Sequence, residues 1–118
     1  MDQQEYVRHV LDCYRRSPET TGQVRPADRQ LAARLYQRQV PVSVVEAAIL
    51  LATARRLFRS SDSPPLAKVR SLHYFAPVVE ELLQQPLDSD YVGYVRDKLE
   101  RHFKNQHPQG DQAAQLIR

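Results

Sequence analysis

Between Val44 and Ala54 only Glu46 and Thr53 interrupt a run of Val, Ala, Ile and Leu. A helix built from these residues is apolar nearly all the way round, so it has to be covered by other elements on every side. No segment of four to eight residues in the chain shows the alternation of a half-buried strand. The sequence therefore predicts an all-α fold: a single compact domain of about five helices around a buried central helix over 44–59. Ser43-Val-Val-Glu46 reads as the capping box that starts this helix, and Arg55, Arg56 and Arg59 as its solvated end.

Four further helices are legible around it. The first is expected over Gln3–Arg16, where Tyr6, Val7, Val10, Leu11 and Tyr14 form one stripe. Ser17 and Pro18 stop it, and 17–24 reads as a loop. Pro26 suits the first position of a second helix, which runs to about Gln39, because its missing N–H has no intrahelical partner there. Leu31, Ala32, Leu35 and Tyr36 would face inward, with Arg34 and Arg38 one turn apart on the other side and Arg29 beside them. After the Ser- and Pro-rich loop 60–65, a fourth helix is expected over 71–83, with Pro77 imposing a kink or a short first piece that ends before it. Asp88 or Ser89 caps a fifth helix, where Val92, Val95, Leu99 and Phe103 recur at a spacing that also suits packing against a partner. Residues 107–118 read as a frayed, flexible tail after a helical domain spanning 1–106.

The residue inventory excludes several classes of chemistry. At 118 residues the chain is one domain in size. Its three glycines, Gly22, Gly93 and Gly110, lie far apart, so no phosphate-cradling glycine loop is present. The lone Cys13 excludes an internal disulfide and a multi-thiolate zinc site, which makes a reducing cytoplasm the natural compartment. No signal-peptide pattern opens the sequence and no apolar run is long enough to span a bilayer, so no membrane association is expected. His9 and Cys13 stand one helical turn apart, but two ligands do not make a zinc site, which takes three or four. Adjacent positions on one helix rarely converge on a substrate either. The expectation is a protein that is not an enzyme and has no metal and no cofactor; His73 and His102 read as structural.

Charge is distributed unevenly. Residues 1–59 carry ten Arg against six acids, whereas 60–118 carry seven Arg or Lys against eight acids. Within 24–59, seven Arg face only Asp28 and Glu46, and Arg outnumbers Lys 14 to 3 in the chain. Arg has the planar donor fork that suits phosphate. Arg29, Arg34 and Arg38 on the second helix, with Arg55, Arg56 and Arg59 on the third, are the candidate phosphate-binding surface. Solvated arginines with no ligand are the plain alternative. The short link 40–43 between the two helices invites a helix-turn-helix reading. A recognition helix must offer polar side chains to base edges, however, and Val44, Val45, Ala48, Ile49 and Leu51 do not.

Over residues 24–83 the chain resembles the C-terminal domain of the DnaD-like primosomal and phage replication proteins. Val44-Val-Glu-Ala-Ala-Ile-Leu-Leu-Ala-Thr-Ala54 is similar to that family's central helix. Ser71-Leu-His-Tyr-Phe-Ala-Pro-Val-Val-Glu-Glu-Leu82 is similar to its closing motif, Ser-aromatic-x-Tyr-Ile-x-x-Ile-Leu-x-x-Trp. Tyr74 takes the motif's Tyr, Val78 its Ile, and Leu82 stands at its Trp. The resemblance implies a small DNA-associated accessory protein of bacterial or phage replication or mobile-element biology, binding single-stranded or duplex DNA, with Tyr74 added to the arginines as a contact residue. The alternative is a helical protein-interaction adaptor or homodimer that contacts its partner through Val92, Val95, Leu99 and Phe103.

Overall fold

The computed structural model describes residues 1–60 and 62–106. Among them lie five α-helices, α1 (Gln3–Arg16), α2 (Pro26–Gln37), α3 (Val42–Leu57), α4 (Ala76–Gln84) and α5 (Ser89–Gln106), and one 3-10 turn, Leu72–Phe75. The fold is all-α. The expected tail over 107–118 lies outside the described residues. The chain divides into two compact units, Met1–Leu87 and Asp88–Arg118, and each is described by itself.

In the first unit, α1 begins where its cap chemistry allows. The Asp2 carboxylate accepts the Glu5 amide at 2.8 Å and the Glu5 carboxylate accepts the Asp2 amide at 3.0 Å, a reciprocal box that satisfies two otherwise orphaned donors. Tyr6, Val10, Leu11 and Tyr14 are buried, as the stripe requires. The Tyr6 ring meets Tyr36 of α2 edge-on with centroids 5.3 Å apart, while its hydroxyl donates to the Val40 carbonyl at 2.7 Å.

The α2–α3 link departs from the expected start of the central helix. Gln39 adopts a left-handed backbone, φ 63°. The Gln39 amide reaches Tyr36 O at 2.9 Å and the Val40 amide reaches Leu35 O at 3.0 Å, which closes the end of α2. Pro41 then stands at the N-cap of α3, and its carbonyl accepts the amides of Val44 and Val45. Ser43 is thus already inside the first turn, and the Ser43–Glu46 capping box does not form; the Glu46 carboxylate is committed to α1 instead. The helix also stops at Leu57, not at residue 59.

Helix α3 packs against α1, the 3-10 turn and α4, and buries Val45, Ala48, Ile49, Leu51, Ala52 and Ala54. Among the described residues of the first unit it is not covered on every side. Val44, Ala47 and Leu50, which share one line of the helix, are only half-buried. Pro77 produces no mid-helix kink. The chain runs as a 3-10 turn to Phe75 and restarts as α4 with Pro77 in its first turn, where the missing N–H costs nothing. Two loops are clipped together by an isolated parallel bridge, with the Val69 amide on Glu19 O at 2.8 Å and the Thr21 amide on Val69 O at 2.9 Å.

A buried carboxylate joins α2 to the 3-10 turn. Asp28, 1% exposed, accepts the Arg25 amide on Oδ2 at 2.8 Å, and the Leu72 amide and Ser71 hydroxyl on Oδ1 at 2.9 and 3.0 Å. Burial by itself would raise its pKa, but these donors outweigh it and hold the carboxyl below the ordinary aspartate value.

In the second unit, the Asp88 side chain and carbonyl cap α5, accepting the amides of Asp90, Tyr91 and Val92. Val95 and Leu99 are buried and Val92 and Phe103 half-buried. The exposed aromatic residues of this helix are instead Tyr91 and Tyr94, with ring centroids 6.1 Å apart.

Candidate functional site

The six arginines singled out by charge do not form one surface. Arg38 makes a bidentate pair with Glu80 of α4 at 2.7 and 3.0 Å, and Arg55 makes another with Glu81 at 3.0 and 2.6 Å. Each pair closes a helix end onto α4 and cancels a positive charge; the guanidinium hydrogen bonds draw both glutamate carboxyls below their ordinary range. Net charge over 24–59 counted neither glutamate, since both lie outside that window.

Arg56 points inward. It is 8% exposed, with Nε on Glu19 at 3.0 Å, Nη2 on the Ala67 carbonyl and Nη1 on the Tyr74 hydroxyl at 3.2 Å. Its guanidinium carbon also stands 5.3 Å from the centre of the Tyr74 ring. Tyr74, 45% exposed, is therefore already stacked by a cation of its own chain. Arg59 donates to the carbonyls of Arg56 and Pro64 and shapes the loop after α3. These residues brace the end of α3; none of the three presents an unengaged side chain to a ligand.

Arg29 and Arg34 remain exposed on α2 with no ion-pair partner among the described residues. Arg29 also lines an open groove of 910 Å³ between α1 and α2, together with Arg8, Arg15, Gln3, Gln4 and Gln30, over an apolar lining of Val7, Leu11 and Ala33. The one acid in the groove, Asp12, holds Arg15 at 2.7 Å. Arg8, like Arg29, has no ion-pair partner among the described residues. Arg8, Gln3 and Gln4 lie outside the 24–59 charge cluster, and the groove draws most of its lining from α1. A scan of helix 1 for donors opposite its apolar stripe could have found them.

A second cluster sits on the α1–α3 contact. His9 Nε2 is 2.9 Å from Glu46 Oε2, and the Cys13 thiol donates to the same oxygen at 3.7 Å. One ligand atom from each of the three residues lies within 4.8 Å of the other two. The sequence shows His9 and Cys13 as a pair, whereas the capping-box pattern of Ser43–Glu46 conceals Glu46 as a third member. Arg16 Nη2 donates to Cys13 Sγ at 3.7 Å. Burial pushes the thiol above its ordinary pKa, and the Arg16 hydrogen bond only partly offsets this.

No helix of the described residues is long and apolar enough to cross a membrane. No family model, no curated protein and no solved structure matches the chain.

Proposed function

We propose that this chain is a small, non-enzymatic, cytoplasmic DNA-associated accessory protein whose phosphate contacts are made in the α1–α2 groove. The observation that carries the reading is the groove's donor set: Arg8, Arg15 and Arg29 with three glutamines against one acid, Arg8 and Arg29 having no ion-pair partner among the described residues. A phosphodiester strand offers acceptors at regular spacing, and guanidinium and carboxamide groups donate to them without reading sequence. Arg34, one turn beyond Gln30 on α2, extends the same basic edge. The resemblance of 24–83 to DnaD-like replication proteins points to the same partner and to a replication or mobile-element role in a bacterium or phage.

The test is a salt-titrated binding measurement on single-stranded and duplex DNA. Four phosphate contacts predict a slope of log affinity against log salt of about −2.8 to −3.6, and Arg8→Gln with Arg29→Gln should flatten it by about 1.4–1.8. Absence of binding at about 50 mM salt, or a slope unchanged in the double variant, overturns the reading.

A further inference from the structure

We propose that His9, Cys13 and Glu46 form a binding site for a divalent transition-metal ion of the zinc class, which cross-links α1 to α3. The fold places the three donors for reasons of helix geometry. His9 and Cys13 are four residues apart on α1, so both side chains project from one face. That face packs against α3, from which Glu46 projects towards it.

The donor set and spacing match a borderline-soft ion. Imidazole nitrogen, thiolate sulfur and carboxylate oxygen are all zinc ligands, at about 2.0–2.3 Å from the metal, which puts neighbouring ligand atoms of a tetrahedron about 3.3–3.8 Å apart. The observed Cys13–Glu46 separation of 3.7 Å falls within that range, the His9–Glu46 separation of 2.9 Å is slightly shorter, and the whole triangle lies within 4.8 Å. Small side-chain rotations suffice to close it. The His9 and Glu46 side chains are 38% and 37% exposed, so an ion can enter and water can take the fourth position. One thiolate and one carboxylate balance the charge of a divalent ion.

The hydrogen bonds in the metal-free site use the lone pairs and protons that an ion would replace. On binding, the Cys13 thiol proton goes to solvent as sulfur takes the metal. The inference is independent of DNA binding, since none of the three residues lines the α1–α2 groove.

The full chain, freed of metal with chelator, is titrated with Co²⁺ alone and then with Zn²⁺. One equivalent of Co²⁺ should give tetrahedral ligand-field absorption with a thiolate-to-cobalt charge-transfer band, and Zn²⁺ should abolish both and raise the melting temperature. Cys13→Ser should remove the charge-transfer band. His9→Gln and Glu46→Gln should each weaken binding at least about tenfold, since even groups one shell out from a metal carry about 10–100-fold. Circular dichroism of each metal-free variant separates lost ligation from lost folding. A folded wild-type chain without the charge-transfer band, or affinity unchanged in folded His9→Gln and Glu46→Gln, overturns the proposal.

Discussion

The Leu72 amide sits 2.9 Å from Oδ1 of Asp28, a carboxylate 44 residues earlier in the chain and almost wholly shielded from water. The same carboxylate holds the Arg25 amide at 2.8 Å, so one side chain both caps α2 and fixes the start of the 3-10 turn. Both oxygens accept and neither donates. This is a role only an ionised carboxylate fills.

Asp28→Asn should therefore destabilise the fold by about 2–4 kcal/mol in denaturant melts, because an amide NH₂ placed towards the Arg25 N–H sets donor against donor in a buried site. Asp28 also fixes an acid limit. Its folded pKa lies below the ordinary value, so near pH 4 the unfolded chain binds more protons than the folded one and stability rises with pH. That contribution is complete above the ordinary aspartate range and is lost as pH falls through the lowered folded value. Melts between about pH 2 and 6 should show a steeper acid loss in the wild type than in Asp28→Asn. Parallel acid profiles would disprove this.

Gln39 offers a gain rather than a loss. Its left-handed backbone, φ 63°, is what lets Val40 turn back onto Leu35, and a side chain is strained there. Gln39→Gly should stabilise by about 0.5–1 kcal/mol, the relief of Cβ strain exceeding the added freedom of the unfolded chain. A lower denaturation midpoint in the glycine variant would contradict that balance.

The helices themselves were legible because their signals are local. The Tyr6–Tyr14 stripe, Pro26 at a helix start and the apolar run from Val44 each act within a few turns. What the sequence concealed was long-range partnership. Ser43–Glu46 has the pattern of a capping box, but the left-handed turn at Gln39 fixes Pro41 as the cap, and Glu46 is claimed by a histidine 37 positions away. Position on an outer helix face or at a helix end suggests an exposed arginine, yet whether one is available depends on which acids the fold brings near. Glu80 and Glu81 reach Arg38 and Arg55 across 42 and 26 residues, and Glu19 reaches Arg56 across 37. No periodicity encodes those pairings.

The contrast between Arg38 and Arg56 tests this directly. Arg38 is half-exposed at its pair with Glu80, where solvent and salt screen the interaction, so Arg38→Gln should leave the denaturation midpoint almost unchanged. Arg56 lies with 5% of its side chain exposed, and its three hydrogen-bond partners come from three separate segments: Glu19 after α1, Ala67 in the loop, and Tyr74 in the 3-10 turn. Removing it strands the Glu19 carboxylate and a carbonyl and uncovers the Tyr74 ring. Arg56→Gln should cost about 3–5 kcal/mol, the range for breaking a buried pair from one side. Glu19→Gln with Arg56→Gln should restore part of that loss, because no unpaired charge remains. Equal, small effects of Arg38→Gln and Arg56→Gln in denaturant melts would show that Arg56 is a surface cation and that the end of α3 is held by packing alone.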